Sequence, residues 1–474
     1  MIRIFRHYIS RWSLLLVIME MVCFLLAVYA GVWLRFISLP EPDEVHADVL
    51  LPRALFFMLV MTVSMTATGR YQRLMEDGLA GEALRVALSF VIGLVAMSML
   101  FYVFPDLLLG RGAFAYALGV ALGGVIFSRW LFIRFLLDWE VLKRRILVLG
   151  VGPLAEEVRQ ATMLGDGTLV LLGFRPFPWE GEQPAAVPPE SIVLDSGALW
   201  DVVRERNVHE VVIAADGMDN LPEGVMREIL DCKSGGVQVL EFPVFFEREL
   251  RQIHVSRMDP YWWICHSDGL EQGTLREVTK KGFDIIVALL LLLATWPIML
   301  LAALAIWLES GGRGPILYRQ QRVGFGGKRF FVLKFRSMHV DAEKDGPRWA
   351  SHDDDRITRV GQVLRLTRMD ELPQWFNVLK GEMSLVGPRP ERPEFVEQLE
   401  RRIPFFRERL RVKPGITGWA QICYGYGNSE SDAARKLRYD LYYVKNHTLF
   451  FDLLVLMHSV EVVLFGRGAA PPRR

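Results

Sequence analysis

The chain has 474 residues, of which 51% are hydrophobic, and its mean hydropathy is +0.23. This length predicts two or three folding units, and the apolar composition excludes a wholly soluble protein. The formal net charge is only +1, so no global field favours nucleic acid as a partner. The four cysteines stand far apart without a CxxC pair, which argues against a zinc site.

The N-terminal region contains four apolar runs that are long enough to cross a membrane, at residues 12–36, 52–68, 83–104 and 113–137. Clusters of basic residues precede the first run, follow the second and follow the fourth. Because basic loops stay in the cytoplasm, we expect the chain to start there and to return there at about residue 140. Residues 1–140 are therefore predicted to form a four-helix transmembrane region.

Residues 141–270 are predicted to form a cytoplasmic Rossmann-like α/β domain. The run RILVLG at residues 145–150 is typical of a buried strand, and it leads through Gly150 and Gly152 into a helical pattern. The next predicted strand ends in Arg175, where a ribose-binding acid would be expected, and the chain has no YxxxK pair. A regulatory or scaffolding role is therefore favoured over redox chemistry.

A fifth apolar run, at about residues 282–308, has basic residues on both sides and Pro297 at its middle. Proline removes a backbone hydrogen bond and kinks a helix. Two interpretations remain open: a fifth crossing with a kink, or a re-entrant helix that breaks at Pro297 and leaves by the leaflet it entered. The flanking charges favour re-entry. A last run at residues 449–465 carries acids and a histidine, so it predicts either an amphipathic helix on the membrane surface or a buried helix.

The segment at residues 361–390 carries the most suggestive charges. The adjacent acids Asp370 and Glu371 follow Arg365, and Arg389 comes after them between two prolines. Carboxylates surrounded by arginines suit phosphoryl chemistry, because an acid can attack or hold a metal while guanidinium groups bind oxygen charge. The alternative from the charge pattern alone is an exposed helix start with ion pairs.

Two further cations, Lys334 and Arg336, lie two residues apart in the segment FVLKFRSM, so a strand would place both on one face. Such a pair suits a diphosphate, and a solvated strand edge is the equal alternative.

Several of these segments occur together in one known family. The apolar run at 282–308, the FRSM segment, the run RMDELPQWFNVLKGEMSLVGPRP and KPGITGWAQ resemble, in this order, the bacterial polyprenyl-phosphate sugar-phosphate transferases with a single re-entrant helix. The resemblance covers about residues 275–465, and the N-terminal spans resemble those of the larger members, which initiate exopolysaccharide or O-antigen synthesis. It departs from the family at Met369 and Trp375, where leucine is common.

The resemblance implies a catalytic α/β domain at residues 275–474 that transfers a hexose 1-phosphate from a UDP-sugar to undecaprenyl phosphate and releases UMP. Asp370 would be the nucleophile, Glu371 would assist by handling a proton or metal, and Mg²⁺ would bind at these two acids. Arg365 and Arg389 would contact the phosphates, with Lys334 and Arg336 matching less sharply. The active site would face the cytoplasm at the bacterial inner membrane, among membrane lipids, and a homodimer is plausible.

Two other functions remain open. The acids Asp353, Asp354 and Asp355 contain a DxD pattern, which would suit a glycosyltransferase that moves the sugar alone and releases UDP. A membrane scaffold or nucleotide sensor without catalysis is the third interpretation, and the large N-terminal portion motivates it.

Overall fold

A computed structural model describes residues 2–36, 47–68, 78–132, 134, 143–164, 169–180, 185–193, 197–215, 222–255, 258, 260, 263, 273–340, 342, 356–425 and 429–465. The acids at 353–355 lie outside these residues. The chain divides into two compact units: an N-terminal unit of Met1–Ile4 with Tyr8–Arg251, and a C-terminal unit of Phe5–His7 with Gln252–Arg474.

The N-terminal unit starts with a short hairpin and four long apolar helices. Strands β1 (Ile2–Ile4) and β2 (His7–Ile9) are followed by helices α1 (Arg11–Phe36), α2 (Ala47–Ala67), α3 (Gly78–Val103) and α4 (Arg111–Leu131). The four predicted spans are confirmed as helices with the length and hydropathy of membrane crossings. With the later helix Thr274–Glu309, the described residues contain five such helices. The chain is therefore a multi-pass membrane protein.

Helices α1 and α4 pack closely because small residues line their contact. A Cβ added to Gly31 would lie 2.6 Å from the backbone nitrogen of Ala117, so only glycine allows this approach. Near the other end of the pair, Arg129 Nη2 lies 2.5 Å from Glu20 Oε1, and both side chains are buried. Pairing satisfies charges that would be costly to leave alone inside a membrane.

The same unit contains a four-stranded parallel sheet with helices on both faces. In chain order its elements are β3 (Arg144–Leu149), α5 (Pro153–Leu164), β4 (Leu169–Arg175), α6 (Leu199–Glu205), β5 (Glu210–Ile213), α7 (Glu223–Ser234), β6 (Gln238–Glu241) and α8 (Phe242–Leu250). The strand order is β4-β3-β5-β6, and all neighbours are parallel. Ile146 and Val148 belong to one apolar cluster and Leu147 and Leu149 to another, as expected when successive side chains point to opposite faces.

The C-terminal unit begins with one long helix, α9, at Thr274–Glu309. At 36 residues it is about 54 Å long. Pro297 lies inside it without interrupting it, so the predicted break at Pro297 is not seen as a gap in the helix. Two residues before the proline, the hydroxyl of Thr295 donates to the carbonyl of Leu291 at 2.7 Å, a contact that often bends helices. Re-entry itself stays a prediction.

The remaining elements of this unit are all shorter than α9. In chain order they are β7 (Leu317–Val323), β8 (Arg329–Phe335), α10 (Arg359–Leu366), α11 (Trp375–Leu379), β9 (Ser384–Val386), α12 (Pro393–Arg402), β10 (Gly415–Thr417), α13 (Trp419–Cys423), α14 (Glu430–Asn446) and α15 (Leu449–Phe465). Strands β7 and β8 form an antiparallel hairpin, and β9 pairs with β10 in parallel. Two 3₁₀ helices, Met369–Gln374 and Phe406–Arg411, connect them.

The tip of the N-terminal hairpin belongs to the C-terminal unit. His7 is 1% exposed, stacks on Phe451 with ring centroids 4.3 Å apart, and has its Nδ1 3.2 Å from the Tyr442 hydroxyl. The backbone carbonyl of Phe5 also accepts a hydrogen bond from the Thr448 hydroxyl. The sequence analysis assigned these residues to the transmembrane region, because a three-residue contact of this kind has no periodic signal.

Helix α15 combines the two predictions made for the last apolar run. Its residues Phe451, Asp452 and Val455 are fully buried, whereas Leu449 and Leu453 are at least 40% exposed. One face therefore packs into the C-terminal unit and an apolar face remains open.

Candidate active site

One cavity of about 720 Å³ in the C-terminal unit brings the predicted site residues together. Asp370, Glu371, Arg365, Arg389, Lys334 and Arg336 all line it. Among the described residues, ten basic side chains and four acidic ones contribute to its wall. The cavity therefore attracts anions, and the two adjacent acids lie within that positive surface.

The two acids occupy the first turn of the 3₁₀ helix Met369–Gln374. Arg368 before them adopts left-handed backbone dihedrals, with φ 55°, which turns the chain sharply out of helix α10. Pro373 lies further along the 3₁₀ helix, and α11 starts only at Trp375.

Asn377 on α11 fixes this segment to strand β8. Its Oδ1 accepts a hydrogen bond from the amide of Leu333 at 3.0 Å, and its Nδ2 donates to the carbonyl of Phe331 at 2.7 Å. The side chain is fully buried and takes the place of a neighbouring strand. Lys334, the next residue on β8, is thereby held opposite Glu371.

Glu371 forms two short ion pairs through the same oxygen. Lys334 Nζ and Arg389 Nη2 each lie 2.9 Å from Glu371 Oε1. Burial alone would raise the pKa of Glu371, but the charges and hydrogen bonds of Arg389 and Lys334 hold that pKa well below its usual range. Glu371 is therefore a carboxylate at neutral pH.

Asp370 behaves in the opposite way. The residue is 9% exposed, and burial together with the adjacent charge of Glu371 raises its pKa, against the opposing charges of Lys334, Arg365 and Arg389. Two neighbouring carboxyls with pKa values pushed apart are characteristic of acid–base and nucleophilic sites. A cation or phosphate-bound metal beside Asp370 would lower its pKa again.

Arg365 and Arg336 complete the basic wall. Nη1 of Arg365, on α10, is buried and forms no hydrogen bond to the described residues. Arg336, one residue past strand β8, donates to the carbonyl of Arg313 at 3.2 Å and also lines the cavity. Both guanidinium groups thus retain donors that an anionic ligand can use.

Arg389 is held in place by the crossing of two motifs. The segment SLVGPRP runs as β9 beside β10 of KPGITG, and the amide of Gly387 donates to the carbonyl of Thr417 at 2.9 Å. A Cβ at Gly387 would lie 2.2 Å from the carbonyl oxygen of Lys413, so the close crossing requires glycine.

Sequence reasoning missed three further residues of this region: Arg322, Arg409 and Asp440. All three line the cavity, and Arg409 and Asp440 are almost fully buried. They act across 20 to 68 residues of sequence, so no local pattern identifies them.

The residues fit a magnesium ion through a small set of oxygen ligands. Both ion pairs of Glu371 use Oε1, and no hydrogen bond or ion pair from a described residue uses its Oε2. Together with Asp370 it offers carboxylate oxygens, and Mg²⁺ binds one or two of these plus substrate phosphates and waters. No cluster of three or more metal-ligating side chains occurs in the described parts of the chain.

Comparison with known proteins defines the class. A family model described as bacterial sugar transferase matches residues 275–466. A UDP-glucose:undecaprenyl-phosphate glucose-1-phosphate transferase of Escherichia coli (strain K12) is 33% identical over 315 residues, 64% of this chain and 67% of that protein. The chain belongs to the bacterial sugar transferase family, and its curated relatives are named as undecaprenyl-phosphate sugar-phosphate transferases.

Two further relatives match over a shorter length of the chain. A UDP-N-acetylgalactosamine-undecaprenyl-phosphate N-acetylgalactosaminephosphotransferase of Aeromonas hydrophila is 47% identical over 190 residues, 40% of this chain and 44% of that protein. An undecaprenyl-phosphate glucose phosphotransferase of Komagataeibacter xylinus is 43% identical over 196 residues, 40% of this chain and 36% of that protein. The matches thus span less than half the length of these two relatives.

Proposed function

We propose that this protein transfers a hexose 1-phosphate from a UDP-sugar to undecaprenyl phosphate, with release of UMP. The observation that carries the proposal is the pair Asp370 and Glu371 within a cavity lined by ten basic side chains. The relatives named above act on UDP-glucose or UDP-N-acetylgalactosamine, so a UDP-hexose is the substrate class that we assign.

The proposed reaction has two steps with Asp370 as nucleophile. A carboxylate oxygen of Asp370 forms a bond to the sugar-bearing phosphorus, the bond from that phosphorus to the bridging oxygen breaks, and its electron pair leaves with UMP. A phosphate oxygen of undecaprenyl phosphate then attacks the same phosphorus and releases the Asp370 carboxylate. No net proton is taken up or released.

The surrounding side chains stabilise charge in both steps. Arg365 has a free donor for the phosphate oxygens, whereas Arg389 and Lys334 keep Glu371 ionised. Asp370 and Glu371 would hold Mg²⁺, which supplies neutralisation of the diphosphate charge. Lys334 and Arg336 line the same cavity and would contact the diphosphate.

Both ends of helix α9 are bound to the same domain, which supports a re-entrant helix. Asp284 near its start accepts a hydrogen bond from the amide of Leu385 at 3.3 Å, and Glu309 at its end accepts one from the amide of Val360 at 3.0 Å. Between them Leu290 and Leu293 are about 60% exposed. A crossing helix would carry its ends to opposite sides of a hydrocarbon core about 30 Å thick. We infer that α9 enters and leaves on the cytoplasmic side, where UDP-sugars occur.

The topology is tested by labelling. Arg313→Cys in a cysteine-free background should react with a membrane-impermeant maleimide only after the inner membrane is opened. Labelling from the outside alone would contradict re-entry. A homodimer stays a prediction of the sequence.

The reaction is tested by identifying the released nucleotide. The full chain in nanodiscs is incubated with Mg²⁺, a panel of UDP-hexoses and undecaprenyl phosphate. Release of UMP, accumulation of a covalent sugar-phosphate adduct without lipid, and loss of both in Asp370→Asn are the expected results. Release of UDP would instead establish simple glycosyl transfer, and silence with every sugar would favour the scaffold interpretation.

A further inference from the structure

The backbone at and just after Arg389 is fixed by two other arginines. Arg409 Nη2 donates to the carbonyl of Arg389 at 2.9 Å, and Arg322 Nη1 donates to the carbonyl of Pro390 at 3.1 Å. Arg409 is 6% exposed, so its hydrogen bond is shielded from water. Because the ring of Pro390 restricts rotation of the peptide that follows Arg389, these contacts fix the backbone from which the Arg389 guanidinium extends.

Arg409 is itself fixed by Asp440 on helix α14. Its Nη2 lies 2.8 Å from Asp440 Oδ2, and the two side chains are 6% and 3% exposed. The guanidinium also lies 5.1 Å from the ring centroid of Phe406. Removal of one partner from such a buried pair leaves the other charge uncompensated. A chain of direct contacts therefore runs from Asp440 through Arg409 to Arg389, whose side chain reaches Glu371 at 2.9 Å.

We propose that Arg409 and Asp440 are positioning residues of the transferase, which hold Arg389 in ion-pair distance of Glu371. The inference rests on the proposed function, since it needs Glu371 to take part in the reaction. Neither residue has to touch the substrate, because Arg409 acts through the backbone of Arg389 and Asp440 acts through Arg409.

The electrostatics of the site give this role a specific signature. Glu371 faces Lys334, Arg389 and Asp370, and the charge of Arg389 lowers the pKa of both carboxyls. Displacement of Arg389 should therefore weaken a charge on which both carboxyls depend, so kcat should fall while the KM for the UDP-sugar changes little.

Asp440 has charged neighbours of its own. Burial raises the pKa of Asp440 to about 6, with Arg409 and Lys436 opposing and Glu391 reinforcing the rise. Its ion pair with Arg409 therefore weakens as the pH falls through about 6. The acid limb of the wild-type profile then includes this loss, and Asp440→Asn should remove it.

The test is a double-mutant cycle between Arg409→Lys and Arg389→Lys in the full chain. Lysine keeps the charge but cannot reach two acceptors with a planar fork. We expect kcat to fall on the order of 10- to 100-fold in Arg409→Lys, since small misplacements of catalytic groups cost this much. The fall should be at least as large in Arg389→Lys, and no larger in the double variant than in Arg389→Lys alone.

Arg411→Lys is the matched control. Arg411 belongs to the same 3₁₀ helix as Arg409, but it is 57% exposed and pairs only with Glu408 among the described residues. Its replacement should leave kcat and the pH profile unchanged. Rates are normalised to monodisperse protein from gel filtration, and Asp440→Asn replaces Arg409→Lys in the cycle if the latter does not fold.

Each outcome separates this inference from the proposed function. Losses in Arg409→Lys and Arg389→Lys that multiply in the double variant, or a rise in KM without a fall in kcat, would overturn the positioning role alone. Wild-type rates in Arg389→Lys would overturn the assigned site itself. Non-additive losses in kcat at little-changed KM would support both.

Discussion

Two regions of the molecule have sequences that look suited to binding phosphate. In the structure they differ in whether the chain itself already satisfies their donors and charges. The glycine turn after β3 precedes the N-terminus of helix α5, yet the carboxylate of Glu180 already accepts hydrogen bonds from the amides of Val151 at 3.2 Å and Phe177 at 3.0 Å. In the cavity of the C-terminal unit, ten basic side chains face four acidic ones. The turn is satisfied by its own chain, whereas the cavity retains uncompensated positive charge.

The glycines of the turn have a structural reason that needs no nucleotide. Gly150 has φ +120°, and a Cβ there would lie 2.3 Å from the carbonyl oxygen of Ala214, the residue that follows the neighbouring strand β5. Glycine is thus required by strand packing. A glycine pattern reports a close backbone approach, and only unpaired donors or unbalanced charge point to a ligand.

The largest expected effect on this comparison comes from Asp370→Asn. Loss of the nucleophile should lower UMP release by at least about 1,000-fold, as removal of a covalent catalyst does in other enzymes. Asp201→Asn, at an exposed position on α6, should retain the wild-type rate. A variant at Asp370 with more than a tenth of wild-type activity would show that another group attacks the phosphorus.

Glu371→Gln should have the next largest effect and a distinctive pH dependence. Removal of the negative charge leaves Lys334 and Arg389 unneutralised and eliminates the like charge that raises the pKa of Asp370. We expect kcat to fall on the order of 100-fold, because one fixed charge of the site is lost. The acid limb of the pH–rate profile should move to lower pH. A shift to higher pH would contradict the assigned coupling of the two acids.

Sequence patterns located the long elements and the two acids, and they failed for contacts between distant segments. Hydropathy predicted the four N-terminal helices, and RILVLG predicted strand β3. Asn377 and Arg409 were missed because their roles come from partners 44 and 20 residues away. Such a residue becomes interpretable only when the fold shows which backbone group it meets.

The hairpin tip at Phe5–His7 is the clearest example, and it gives a prediction of intermediate size. His7→Ala removes a buried ring from between Trp419, Tyr442 and Phe451, so the free energy of unfolding should fall by about 2 kcal/mol. Thermal unfolding followed by tryptophan fluorescence measures the change. Ile2→Ala, on the exposed side of strand β1, is the control. An unchanged melting temperature in His7→Ala would mean that the tip does not stabilise the C-terminal unit.

The smallest effect on activity is expected for Glu180→Ala. The substitution leaves the amides of Val151 and Phe177 without their carboxylate, so the free energy of unfolding should fall by about 1 kcal/mol. The transferase rate should stay within twofold of wild type, because the glycine turn takes no part in the proposed chemistry. Pyrophosphate should raise the melting temperature of Glu180→Ala more than that of Glu190→Ala, an exposed control, since only the former frees amides at a helix N-terminus. Equal responses of the two melting temperatures would mean that the turn has no affinity for anions even when it is open. A large loss of transferase activity in Glu180→Ala would show that the parallel-sheet domain supports catalysis in a way that its own contacts do not reveal.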